Sequence, residues 1–547
     1  MRVRSAAVAT ADWLRTARPA PLLALLVLAQ LGVVAWLAFA TPHNGWLWYS
    51  GGDATEYWSS QWAVAHGLIP PAYLGWGLPI LYAWIPLATG ISLLQGLPVV
   101  VLFHVLVLVP LALVLAWALA DLLYGRVYAW CVAALWVLAP LLAIWAFAPR
   151  YETRFEEHVL APHWAGLTDM ADFPSLVAVL AAAWATVRGV QNGRFGSALG
   201  AGVLGGLALG IKPSNGYFVL AVGVLLAVAR RPRVALGWAA GAAPALLTLV
   251  IWKARGLGNI PVLSAYTPRR LAAGDTVGVA VGKYVPFDCH HLAVEWGELR
   301  EVVWDLRFLE FLIVAAALGA LRRNLRAGLF LVSWFVAYCV LKGMSNQADI
   351  STTSYFRLTL PGLAALVLLL PCIGFLWPGT RPVRVEQERE TWDVDFRSPF
   401  AIVAAVVAVL PLVVVLAEQP APAAPARIAR YYPDMTEAPI AASLRPQARV
   451  RGRTVHLSWP RISVPGNPLV AYGILRTRRD DGCTFPAAGG RECILTKLIG
   501  QWTENTSIVE RPGRGRFYYR IALVADNRAN PESSDVMLIG PALRVRV

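Results

Sequence analysis

"APLLALLVLAQLGVVAWLAFA" (residues 20–40) holds no charged side chain and is long enough to cross a bilayer as one helix. Reading it as a span decides the fold, because similar runs recur along the chain. The basic stretch "MRVRSAAVATADWLRTAR" precedes it and no small-residue cleavage site follows. The run is therefore expected to be a signal anchor with the N-terminus in the cytoplasm.

Working outward, eleven spans are expected, near 20–40, 98–121, 127–147, 174–188, 196–212, 214–229, 234–252, 307–322, 327–342, 358–377 and 400–417. The run 79–95 is interrupted by Pro86 and Gly90 and reads as a helix at the membrane face or partly re-entrant, not as a span. Composition agrees with a membrane protein. The 547 residues are 57% hydrophobic and 15% charged, against roughly 25% charged in soluble domains. A net charge of +15 would suit a nucleic-acid binder, but the basic residues sit in short clusters between apolar runs. Nucleic acid is therefore not an expected partner.

The connections "DLLYGR" (121–126), "RGVQNGR" (188–194), "RRPR" (230–233), "RRNLR" (322–326) and "RPVRVEQERE" (381–390) are short and basic, as cytoplasmic loops are. The longer segments 41–78, 148–173, 253–306 and 343–357 then face outward, with everything after 418. Ala-, Arg- and Val-rich usage suits a GC-rich bacterium. The expected location is a bacterial plasma (inner) membrane, multi-pass, with the C-terminal region extracytoplasmic.

Three sets of residues on the outer side carry chemistry. In "WYSGGDATEYWSSQWAVAHGLIPP" (48–71), Asp53 and Glu56 have the spacing of a capping box at the start of an interfacial helix. A cap and a functional carboxylate are both open readings of Asp53. In "RYETRFEEHVLAPHWAGLTDMADFPS" (150–175), Asp169 and Asp172 are three apart and could share one face of a helical turn, or cap the helix before Pro174. Lys212, Lys342 and Arg357 stand at outer span ends, where the positive-inside rule disfavours cations. They either snorkel or hold an anionic lipid phosphate. "DCHH" (288–291) in the long loop 253–306, which also holds Arg269 and Arg270, reads as a loop feature.

Residues 418–445 begin with the Pro/Ala-rich "EQPAPAAPARIAR" and read as a linker. Over 446–547, "RTVHLSWP", "LVAYGILRT" and "FYYRIALVADN" alternate apolar and polar residues between turns, an antiparallel β pattern. With Trp459 on an early strand and Tyr519 on a late one, this region resembles a fibronectin type III domain, which implies a small all-β sandwich. Cys483 and Cys493 lie close together there and make a disulfide plausible in an oxidising compartment. Cys131, Cys339 and Cys372 fall in or beside apolar segments and are expected to be packing residues.

Residues 1–417 as a whole resemble the GT-C superfamily of membrane glycosyltransferases. The resemblance rests on the first span followed by "GGDATEYWSSQWAVAHGLIPP", on "GLPILYAW", on "LGIKPS" and on "SYFRLTLPGL" before a late span. It implies an all-α polytopic domain that takes a sugar from a polyprenyl-phosphate carrier and passes it, on the outer face, to a glycan, lipid or protein acceptor. Asp53 matches the family's first-loop catalytic carboxylate. Asp169 or Asp172 matches the second-loop acid, and Lys212, Lys342 and Arg357 match cations that contact the carrier phosphate. The chain reads Asp-Ala at 53–54 where many relatives have Asp-Glu, which leaves a divalent metal, Mg or Mn, open. The rival readings are a polysaccharide polymerase, a lipid-linked sugar transporter, and a non-enzymatic scaffold displaying a β-domain.

Overall fold

The computed structural model describes residues 10, 12–40, 57, 60–61, 64–65, 75–89, 97–146, 160–254, 288–303, 306–345, 348–350, 354–382, 388–394, 398–417, 443–462, 470–477, 505–525 and 536–547. The protein is mostly helical, with a small C-terminal β region. Among the described residues, eight helices are long and apolar enough to cross a membrane. They are Pro19–Phe39, Val99–Tyr124, Arg126–Ala146, Asp172–Asn192, Pro232–Trp252, Leu325–Lys342, Ser354–Leu376 and Pro399–Ala417. Helices also occupy three more of the expected segments, as Phe195–Ile211, Gly216–Ala229 and Leu306–Arg323. The first two of these are shorter than the eight.

Burial separates inner helices from outer ones. The most apolar stretch of Asp172–Asn192 is 78% buried, whereas that of Pro399–Ala417 is 17% buried and presents its side chains outward. A helix of Val, Leu and Ala with so little protein around it needs another apolar surround, which lipid supplies. Phe195–Ile211 packs closely on Pro232–Ala254 through small residues. A Cβ on Gly202 would collide with the Trp238 carbonyl, and one on Gly241 with the Leu199 carbonyl. Such small-residue contacts let membrane helices approach backbone to backbone.

Two details differ from the sequence reading. The described part of the 79–95 run lies in two six-residue helices rather than one, Gly77–Tyr82 and Trp84–Thr89. Leu78, Tyr82 and Ile85 are buried in the main core, so this segment inserts among the helices as well as bordering them. The indole of the adjacent Trp76 donates to the Ala245 carbonyl at 3.3 Å. The second difference is a helix, Cys289–Val302, inside what reads as the long loop 253–306. Asp288 caps it, accepting from the main-chain N–H groups of His290 (2.9 Å) and His291 (3.1 Å). These bonds, that of His291 foremost, hold the Asp288 carboxyl below the usual carboxylate range.

Several of the short basic connections meet at one end. Phe195 and Gly196 N–H donate to the carbonyls of Thr391 (2.9 Å) and Asp393 (3.1 Å). Arg231 donates to the Glu388 carbonyl at 2.6 Å and Arg233 to that of Glu390 at 3.0 Å. Arg323 reaches the Arg381 carbonyl. Segments read as sharing one side of the membrane are thus joined by hydrogen bonds. Of the cysteines read as packing residues, Cys339 and Cys372 are buried, but Cys131 is exposed on its helix.

The β region has strands β1 (Gln447–Arg451), β2 (Thr454–Ser458), β3 (Val470–Thr477), β4 (Ser507–Glu510), β5 (Arg516–Ala525), β6 (Val536–Ile539) and β7 (Leu543–Arg546). They form two antiparallel sheets, β1-β2-β4 and β3-β5-β6, with β7 also paired to β5. Alternate residues of both sheets, among them Val455, Leu457, Trp459, Tyr472, Ile474, Phe517 and Tyr519, enter one core. Glu510 of β4 joins the sheets, pairing with Arg476 of β3 and accepting from the Tyr519 hydroxyl of β5 at 2.6 Å. Cys483 and Cys493 lie outside the described residues.

Candidate functional site

At the end of the helices opposite those basic connections in chain order, four charged residues from separate helices converge. Asp172 is the first residue of Asp172–Asn192. The expected cap is not made there: the N-cap is Ala171, with no side-chain cap bond. The Asp172 carboxylate, 2% exposed, is instead ion-paired with Lys212 through Oδ1, and Arg357 Nε lies 3.8 Å from its Oδ2. Its place at a helix N-terminus also favours the negative charge.

The sequence explains how Lys212 gets there. A residue before proline is pushed out of the helical region. Lys212, preceding Pro213, ends Phe195–Ile211 in an extended conformation, φ −141° and ψ 106°. Its side chain crosses to Asp172 and also donates to the Arg357 carbonyl at 3.3 Å. Arg357 lies one turn into Ser354–Leu369, and Pro361 stands four residues later within that helix. Proline has no N–H, so the Arg357 carbonyl lacks its helical donor and is open to Lys212.

Lys342, 3% exposed at the end of Leu325–Lys342, donates to Ser345 Oγ at 3.2 Å. It lies close enough to Lys212 for the two charges to repel. A buried asparagine holds these elements in register. Asn215 donates to Ser175 Oγ (2.8 Å) and the Ala208 carbonyl (2.7 Å), and accepts from the Tyr338 hydroxyl (2.7 Å). Each side-chain partner is about one turn from an ionic residue: Ser175 from Asp172, Asn215 itself from Lys212, Tyr338 from Lys342.

Asp169 has different partners and does not share the Asp172 cluster. It is 2% exposed and accepts from Gln61 Nε2 at 3.3 Å. Among the described residues its Oδ2 has no hydrogen-bond partner, and neither do Gln61 Oε1 and Ser60 Oγ. Burial pushes the Asp169 carboxyl up to about 8, against the opposing pull of the Gln61 bond. The Gln61–Asp169 bond ties the segment 41–78 to the segment 148–173. Beside it, His104 Nε2 meets the Tyr82 hydroxyl at 3.0 Å and its Nδ1 meets the Thr168 carbonyl at 3.1 Å. His163, 1% exposed, sits within electrostatic reach of Asp172.

A separate group of oxygens lies between the helix Cys289–Val302 and the segment 348–350. Glu295, Glu298 and Asp349 offer ligand atoms within 4.8 Å of one another. This all-oxygen set fits a hard divalent cation such as Mg or Mn. Glu295 also accepts from the Ile350 N–H at 2.7 Å, and burial pushes its carboxyl upward.

The structure therefore brings together Asp172, Lys212, Lys342 and Arg357, and places Asp169 three residues away with partners of its own. Asp53 and Glu56 lie outside the described residues, as do Glu152, Glu156, Glu157, His158, Arg269 and Arg270. Gln61, Asn215, Ser175 and Tyr338 were missed in the sequence reading. Asn215 had a local signal, since a polar residue after "IKPS" at a span end must be satisfied by its neighbours.

The fold and the site define a multi-pass membrane protein with a buried, cation-rich ionic cluster at the ends of its helices. No known protein family matches the chain, and no curated protein does. Among solved structures it is similar to the oligosaccharyltransferase of Archaeoglobus fulgidus in the apo form, at 13% identity and a TM-score of 0.34. The match covers 72% of this chain and 56% of that one, so the chain spans little more than half the length of its neighbour. A likeness at that score carries no argument about activity.

Proposed function

We propose that the protein is a membrane glycosyltransferase of the GT-C kind, moving a sugar from a polyprenyl-phosphate carrier to an acceptor hydroxyl on the outer face. The observation that supports the reading is the meeting of Lys212 and Arg357 on the Asp172 carboxylate, with Lys342 close to Lys212. Three cations gathered at helix ends in a water-poor place make a positive site that suits an anionic ligand. A lipid phosphate fits by charge, by the forked donors of arginine, and by its place at helix ends.

In this reading the acceptor oxygen attacks the anomeric carbon while Asp53 takes its proton as general base. The bond from that carbon to the phosphate oxygen breaks, and its electron pair leaves with the carrier phosphate. Lys212, Lys342 and Arg357 stabilise the charge that grows there. One displacement inverts the anomeric centre. Asp172 acts as the counter-ion that positions Lys212 and Arg357, since a carboxylate so paired is a poor base. Gln61, eight residues after Asp53, bonds Asp169, which is three residues before Asp172. A divalent ion held by Glu295, Glu298 and Asp349 would add positive charge on the same side. The β region, with its fibronectin type III-like sequence, is an extracytoplasmic β-sandwich that binds or positions a partner.

The test is transfer of labelled sugar from a polyprenyl-phosphate donor by the purified protein in the presence of candidate acceptors. Asp53→Asn should abolish transfer while the protein still elutes as a folded species. Full transfer by that variant would sink the assignment of the base. Failure of wild type with every polyprenyl-phosphate sugar would sink the reading as a whole.

A further inference from the structure

The β region carries charge that membrane topology does not explain. Residues 443–547 hold 17 Lys and Arg but 8 Asp and Glu, so nine of the chain's fifteen net positive charges lie in this part. Among its described residues there are twelve arginines, no lysine and one carboxylate, Glu510. Glu510 is already taken by Arg476 and Tyr519 between the sheets. The other seven acidic residues of 443–547 lie outside the described residues.

The register then concentrates this charge. Arg516 on β5 stands directly opposite Arg546 on β7, and Arg544 stands opposite Tyr518. Phe517, Tyr519 and Val545, which alternate with these residues, point into the core, so Arg516, Arg544 and Arg546 share the outward side and are exposed. Arg449 and Arg451 of β1 are exposed too, but β1 belongs to the other sheet and shows them on the opposite outer side. Like charges placed directly across a ladder are destabilising. Arg516, Arg544 and Arg546, on two paired strands, therefore repel one another until an anion lies against them.

We propose that this arginine face docks on an anionic phospholipid surface, that of the membrane the same chain spans. Guanidinium groups match lipid phosphates with two parallel donors each, and the choice of arginine throughout suits that geometry better than lysine would. The chain itself supplies proximity. The span Pro399–Ala417 ends 25 residues before Ser443, and even a fully extended connection reaches no more than ~90 Å from its end. A tethered basic surface meets the headgroups at high effective concentration, so weak individual contacts suffice.

The experiment reconstitutes the full-length chain in nanodiscs of phosphatidylcholine alone, or with about a third phosphatidylglycerol, and follows hydrogen–deuterium exchange. Uptake in peptides covering 511–525 and 536–547 should be at least threefold slower in the anionic discs. Molar salt should remove the difference, because the contact is electrostatic. The triple variant Arg516→Gln, Arg544→Gln, Arg546→Gln should lose it too, whereas Lys212→Met should keep it. Should the triple variant fail to fold, the salt dependence of the wild type still decides. Equal uptake in the two kinds of disc overturns the proposal. So does protection gained in phosphatidylcholine discs only on adding an oligonucleotide, which would assign the face to a soluble polyanion.

Discussion

Lys212 donates to the main-chain carbonyl of Arg357 at 3.3 Å, across 145 positions of sequence. Two prolines create that bond. Pro213 drives Lys212 out of its helix, and Pro361 removes the N–H that would otherwise occupy the Arg357 carbonyl. Restoring the N–H tests the arrangement. Pro361→Ala should strengthen the helix Ser354–Leu369 locally and draw the carbonyl away from Lys212. In the transfer assay KM for the polyprenyl-phosphate donor should rise about three- to tenfold, roughly 1 kcal/mol of binding, with kcat within about twofold. An unchanged KM would show that Lys212 is fixed by Asp172 alone.

Asp172 is the carboxylate on which two cations depend. Removing one partner of a buried ionic group leaves the rest uncompensated, at about 3 kcal/mol. Asp172→Asn should therefore lower the thermal midpoint by several degrees. Lys212→Met in the same background should recover part of the loss, because the stranded cation is gone. A double-mutant cycle on thermal unfolding measures this coupling. Simple additivity of the two substitutions would mean that the pair contributes nothing as a pair.

Asn215 should matter more than its lack of charge suggests. Asn215→Leu strips partners from Ser175 and Tyr338 in a buried place, at about 1–3 kcal/mol for each polar group left unsatisfied. Tyr338→Phe removes one of the same bonds and should cost less. The double variant should cost less than the sum, since both act on one network. Thermal midpoints of the three variants settle the order.

What could be read from the chain follows from the range of the forces involved. Helical segments were legible because each is a continuous apolar run, a local property of some twenty residues. The cations were legible because Lys212, Lys342 and Arg357 break the charge rule of their side. Cys289–Val302 was hidden, since its apolar residues are interleaved with Glu295, Glu298, Arg300 and Glu301 and it reads as polar loop. The Gln61–Asp169 contact was hidden for another reason. A bond across 108 residues depends on how helices pack, and neither residue carries a local sign of it. The charge of the β region was misattributed, because its arginines are spaced along strands and gather only through register.

Asp169 gives the protein a pH dependence with a definite sign. Its carboxyl is pushed up to about 8 in the folded state by burial, from the ordinary aspartate value of 3.8. Between those values the folded chain holds a proton that the unfolded chain has released. Stability therefore falls as pH rises from about 4 to about 8, and levels off outside that window. Asp169→Asn keeps the shape and the Gln61 contact but cannot ionise. The thermal midpoint of wild type, taken relative to this variant, should decline steadily from pH 5 to pH 8. A constant difference across that range would mean that Asp169 is charged throughout, and that a donor or cation satisfies its Oδ2.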